Sequence, residues 1–160
     1  MKKLLSLPLL LLLAFSPASA QTTAKPDVSK KVVEYCKKNL NKQVDRGECW
    51  DLARFALDYA EADWKSPYNF GTKINHVTDP LKPGDILQFE NVSLSWVDGD
   101  NTYSMTLPHH TAIVYEVKKD GKIVIAHQNF NNVRKVTTFD ISMADIKTGS
   151  VQAYRPKAKS

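Results

Sequence analysis

Two cysteines and four histidines hold most of the reactive chemistry in this 160-residue chain. Cys49 has the more telling setting of the two thiols. It follows the turn-forming run Asp45-Arg46-Gly47 and opens a helical pattern whose inner face is Leu52, Ala53, Ala56 and Ala60. A cysteine at a helix N-terminus lies at the positive end of the macrodipole, beside unpaired backbone N–H groups. That position favours thiolate over thiol and can also receive an oxyanion. The chemistry it suits is nucleophilic attack on a carbonyl, which needs a histidine nearby as base. Cys36 reads differently. After Asp27, an N-cap by type, the apolar residues Val28, Val32, Val33, Cys36 and Leu40 recur at helical spacing, which makes Cys36 a core residue. A plain alternative stays open, because cysteines thirteen residues apart could simply form a structural disulfide.

Positioning these side chains requires two helices and a sheet. The first helix follows Asp27 and the second opens at Cys49. Residues 63–82 lack periodicity and contain Trp64, Pro67, Gly71, Pro80 and the lone His76, so they predict a long loop or short-helix region. Pro83-Gly84-Asp85 is a turn leading into a strand from Ile86 to Phe89. Leu94 to Trp96 and Tyr103 to Met105 flank a hairpin at Asp98-Gly99-Asp100. His110 to Val117, the turn Lys119-Asp120-Gly121, and Lys122 to His127 make an antiparallel pair. Val133 to Phe139 and Val151 to Tyr154 supply two more strands. Helices first and a strand meander afterwards give an α+β domain, with the second helix packed on the sheet and Cys49 facing the strand that His110 begins. Period-two alternation puts His127 on one face with Ile123 and Ile125, a face expected to be buried, and Asn129 shares that parity. His109 points to the opposite face from His110, and both His76 and His109 read as surface or structural residues.

Four runs carry a family resemblance by their order and spacing: Gly47-Glu48-Cys49-Trp50-Asp51-Leu52-Ala53, Leu81-Lys82-Pro83-Gly84-Asp85-Ile86-Leu87, His110-Thr111-Ala112-Ile113-Val114-Tyr115-Glu116-Val117 and Asp120-Gly121-Lys122-Ile123-Val124-Ile125. They resemble the CHAP and NlpC/P60 families, papain-like cysteine amidases and endopeptidases that act mostly on peptidoglycan. The resemblance extends roughly from Gly47 to Pro156, and Ala153-Tyr154-Arg155-Pro156 is similar to the last strand of CHAP domains. It implies a papain-like α+β fold with N-terminal helices on an antiparallel sheet. It also implies that Cys49 attacks, that His110 takes its proton, and that a third polar residue on the next strand orients the base. CHAP domains carry a Glu-x-Asn pair there, whereas this chain has His127-Gln128-Asn129; a histidine in the third position is common in NlpC/P60 proteins. The implied catalytic set is therefore Cys49 and His110 with His127 or Asn129, and it needs no cofactor.

The N-terminus predicts a compartment. Lys2 and Lys3 precede an apolar run from Leu4 to Phe15, and Ala18-Ser19-Ala20 is a small-residue cleavage site. A secretory signal peptide over residues 1–20, cleaved after Ala20, leaves residues 21–160 as a single domain. The apolar run is too short for a bilayer span of about 20 residues, and no cysteine lies near the cleavage site to take a lipid, so no membrane anchor is expected. The implied location is periplasmic or secreted. The formal charge of +5 falls to +3 without residues 1–20. The basic clusters Lys30-Lys31, Lys37-Lys38 and Arg155 to Lys159 have no interleaved aromatic platform, which argues against nucleic acid. Zinc held by Cys49, His110 and His127 is disfavoured by the absence of tight ligand spacing. Asp98-Gly99-Asp100-Asn101 lacks the downstream acid of a calcium loop, so it reads as a turn and no metal is expected. The expected partner is peptidoglycan or a peptide substrate; no inhibitor or immunity protein can be named from sequence. The rival reading is a catalytically silent exported domain of the same fold, a binding module with a Cys36–Cys49 disulfide.

Overall fold

The computed structural model describes residues 27–159, and the expected signal peptide of residues 1–20 lies outside the described residues. Helix α1 (Val28–Asn39) starts at Asp27, whose carboxylate accepts the Lys30 N–H at 3.3 Å. It buries Val28, Val32 and Cys36 along one stripe. Helix α2 (Cys49–Tyr59) buries Leu52, Ala53, Ala56 and Leu57, and Ala60 just past its end. Small alanines on that stripe let the helix lie close to the strands beneath it.

Six strands follow: β1 (Thr72–Ile74), β2 (Ile86–Asp98), β3 (Asn101–Val117), β4 (Ile123–His127), β5 (Thr137–Ile141) and β6 (Ile146–Arg155), with a 3₁₀ turn at Met143–Asp145. They form one antiparallel sheet in the order β1-β6-β2-β3-β4-β5. Both helices pack on one face through Ile86, Ile113 and Ala126. The other face is lined by Leu87, Phe89, Ala112, Val114, Ile123 and Ile125. The sheet curls around this second face, because Trp96 of β2 touches Phe139 of β5, at 6.1 Å between ring centroids, although two strands separate them in the sheet.

Three local expectations are corrected. The four short strands expected between Ile86 and Val117 are two long ones, and the pairing passes from Glu90–His109 to Val92–Leu107 without using Asn91 and Pro108. Pro108 has no N–H to donate and Asn91 is left-handed at φ 51°, so the ladder is interrupted without the strands ending. The strand expected from Val133 begins instead at Thr137. Val136 spends its backbone groups on the loop after α1, accepting from Asn41 N and donating to Lys42 O. Residues 63–82, read as strandless, contribute β1, which adds to the β6 edge.

The turn at Lys82–Asp85 is fastened to the last strand. Asp85 is fully buried and receives Arg155 Nε at 3.0 Å and Nη2 at 2.9 Å, a fork-shaped pair, together with Lys82 N at 2.8 Å. Gly84 is left-handed at φ 92°, and a Cβ there would lie 2.6 Å from Ser29 O on α1, so the turn also packs directly against the first helix.

Candidate active site

Cys49 is the first residue of α2 and is half-buried, while Cys36 lies inside the helical core; both are free thiols, so the alternative Cys36–Cys49 disulfide is not formed. The residues before Cys49 are held by an extensive set of hydrogen bonds. Glu48 donates its backbone N–H to the Asp51 carboxylate at 3.1 Å, and the other oxygen of Asp51 takes Arg46 Nη2 at 2.5 Å. Fully buried Gln128, the residue after β4, donates to Val44 O at 3.0 Å and Glu48 O at 2.7 Å and accepts from Val44 N at 3.2 Å. Asn129 Nδ2 donates to Glu48 Oε2 at 2.5 Å, and Arg134 Nη1 donates to Glu48 Oε1 at 2.5 Å and Arg46 O at 3.0 Å. Gly47 is left-handed at φ 83° and would push a Cβ to 2.7 Å from Arg134 Cβ. The start of α2 is thereby tied to the residues that directly follow His127.

His110 and His127 meet inside the protein. The ring nitrogens His110 Nε2 and His127 Nδ1 are 3.0 Å apart, and the rings are perpendicular, with centroids at 5.1 Å. Phe130 stacks on His127 at 5.3 Å. Burial holds His110 down to about 3, with His127 and then His109 adding to the effect, and burial alone holds His127 down to about 4. Both rings are therefore neutral at neutral pH, and in the hydrogen bond between them one donates and the other accepts. The contact takes up Nε2 of His110; in the tautomer where Nε2 carries the hydrogen, Nδ1 is the nitrogen able to take a proton.

The register sets His110 opposite Phe89, with Ala112 on the same face, whereas α2 packs on the face of Ile113. The link between Cys49 and the histidine pair thus runs around the end of β4 through Gln128 and Asn129, not across the flat of the sheet. The structure brings His110 and His127 together and sends Asn129 to Glu48. His109 bridges the Glu90 carboxylate, at 2.9 Å, and the Tyr68 hydroxyl, at 3.0 Å. His76 lies in the loop after β1. Sequence reasoning missed Gln128, Glu48, Asp51 and Arg134. The Glu48/Asp51 pair, three residues apart at a helix start, is a capping signal that could have been read; Gln128 and Arg134 carry none. Among the described residues no group of three or more His, Cys, Asp or Glu side chains is disposed to hold a metal ion, and no helix is long and apolar enough to cross a membrane.

A cysteine at a helix start, a curled antiparallel sheet and a buried histidine pair, His110 midway along β3 and His127 at the end of β4, fit a cysteine proteinase-like fold. Residues 18–160 match the model of the AIM3/BBC1 cysteine proteinase-fold domain, and the chain belongs to that family. It is 32% identical over 143 residues to "Altered inheritance of mitochondria protein 3" of Debaryomyces hansenii; the match covers 78% of this chain and spans only 15% of that protein's length. Among solved structures, the chain is similar to "The crystal structure of Ly7917 with the hydrolyzing product of MDP", at 19% identity and a TM-score of 0.51, over 80% of this chain and 63% of the other.

Proposed function

We propose that the protein is a cysteine hydrolase of amide or peptide bonds, with Cys49 as nucleophile, His110 as base and His127 as the residue that orients the base. The observation that carries this reading is the buried His110 Nε2–His127 Nδ1 contact, together with a half-buried cysteine at the start of a helix whose preceding residue is held by Gln128, the residue after His127. With His110 Nε2–H donating to His127 Nδ1, the free Nδ1 of His110 has a lone pair for the Cys49 proton. Attack by Sγ on the carbonyl carbon forms a tetrahedral oxyanion, for which the N–H groups of the first turn of α2 are the available donors. The His110 imidazolium then gives its proton to the leaving amine, and water releases the acyl group from Cys49 with His110 again as base. Neutral His127 steadies the transient imidazolium without fixing it as a permanent ion pair.

The order of runs that resembles CHAP and NlpC/P60 domains supports peptidoglycan as the substrate, and the Ly7917 structure, whose description names a hydrolyzing product, fits a hydrolytic use of this fold. The signal-like N-terminus supports an exported protein, periplasmic or secreted. A second reading, a silent domain that binds without cutting, is favoured by the relative's name, which refers to mitochondrial inheritance, and by the small part of that relative the chain spans. Incubating the chain with purified peptidoglycan and with peptide amides, followed by mass spectrometry of the products, tests both. New amine and carboxylate ends that vanish in Cys49→Ser support the hydrolase; intact substrate that still co-sediments with the protein supports the silent module.

A further inference from the structure

A cleft of about 490 Å³ opens on the sheet face away from α2, between the outer part of the β2–β3 hairpin and β5 with its following 3₁₀ turn. Trp96 and Tyr103 are direct cross-strand partners, with rings 5.6 Å apart and 15° from parallel, and Phe139 meets Trp96 edge-on. A second cleft of about 370 Å³ shares Trp96 and Phe139 and adds Ser104, Thr106, Asn131 and Phe130. Phe130 is the ring stacked on His127. One aromatic floor with hydroxyl and amide groups on its rim therefore runs from the hairpin tip towards the histidine pair. The outer cleft carries Asp98, Lys122, Asp140 and Asp145, of which Asp140 is taken up by Lys118.

Both volumes fall in the range of small-ligand sites, roughly 300–1,000 Å³. The lining selects among ligand classes. The negative faces of aromatic rings attract weakly positive C–H groups, which a pyranose ring presents in a flat layer, and sugar hydroxyls pair with carboxylates, ammonium, hydroxyl and amide groups around a rim. A lipid chain has no use for that rim, and the phosphates of a nucleic acid would be repelled by the carboxylates. We propose that this groove binds a saccharide chain, with one pyranose on the Trp96–Tyr103 platform and its hydroxyls on Asp98, Asp145 and Lys122. The site does not need Cys49 to be a nucleophile.

The test uses the Cys49→Ser chain, so that nothing is consumed, and follows its indole N–H signals by NMR, with Trp96 assigned through Trp96→Phe. The probes are an N-acetylated chito-oligosaccharide, an unsubstituted β-glucan oligosaccharide and, as a cationic peptide control, oligolysine. The expected result is a saturable shift of the Trp96 signal with at least one saccharide, weakened tenfold or more by Tyr103→Ala and by Asp145→Asn, each with an otherwise unchanged spectrum. Comparing the two saccharides identifies whether an N-acetyl group is recognised. No saturable shift with either saccharide at tens of millimolar, a shift that neither variant weakens, or a response to oligolysine alone overturns the proposal.

Discussion

Cys36 and Cys49 show how one residue type takes two different settings in one fold. Cys36 has no exposed surface, and burial pushes its thiol up to about 12, whereas Cys49 is reachable from solvent. A thiol electrophile such as iodoacetamide at pH 7.5 should therefore modify Cys49 and leave Cys36 unmodified until the chain unfolds, as read by peptide mass spectrometry. Comparable labelling of both in the folded chain would contradict this placement. The histidine pair makes a graded prediction. Loss of His110 should remove turnover. On the proposed mechanism His127→Ala should slow kcat by roughly ten- to a thousandfold, since it would support a base whose whole contribution is about 10² to 10⁴. Asn129→Ala should slow turnover less than His127→Ala, because its amide is on Glu48 and not on an imidazole. If only the Asn129 change matters, His127 has no orienting role.

At the scale of elements, the start of α2 is the part most exposed to failure, because a short loop must hold Cys49 beside the end of β4. Gln128→Leu removes every partner that this side chain offers Val44 and Glu48. With three backbone groups left unpaired at roughly 1–3 kcal/mol each, a loss of at least about 3 kcal/mol is expected in urea unfolding. The alkylation rate of Cys49 should change with it while α1 stays protected in hydrogen exchange. A surface-like cost below about 0.5 kcal/mol would mean that the brace is incidental. At the turn before β2, Arg155→Met strands the buried Asp85 carboxylate. Since Arg155 is itself partly exposed, at 28% of its side chain, up to about 3 kcal/mol is expected from thermal unfolding, less than for a fully buried pair.

For the whole molecule, the buried histidines impose a direction on stability against pH. In the unfolded chain both imidazoles titrate near 6.5, while in the folded chain they are held to about 3 and about 4. Between those values the unfolded chain binds more protons, so stability falls as pH is lowered from about 6.5 towards 4, by up to about 1.4 kcal/mol per pH unit for each histidine. Urea midpoints at pH 7, 5.5 and 4.5 should decline in that order, and His127→Phe should flatten the decline. A midpoint independent of pH in wild type would show that the rings are hydrated in solution.

Much of this organisation follows from the chain itself. Asp27 as a cap, the apolar stripe of α1, Cys49 at the head of α2, the Lys119-Asp120-Gly121 turn and the parity that puts His127 with Ile123 and Ile125 are all local, since periodicity and capping depend on residues within a few positions of one another. The family resemblance likewise rests on short runs whose order can be read directly. Contacts between distant segments could not be read this way. Merging four expected strands into two depends on how Pro108 and Asn91 sit opposite each other, and the late start of β5 depends on Val136 being captured by the loop after α1. Gln128 reaches back more than eighty residues to Val44, and Arg134 reaches Glu48. The choice of His127 over Asn129 as partner of His110 belongs to the same class: parity allowed both, and the left-handed turn of Asn129, at φ 56°, sent one of them to Glu48. Local sequence determines which groups are available and which face they point to. Only the packing of the sheet, helices and loops decides which of them meet, because hydrogen bonding and burial there depend on positions that no local spacing encodes.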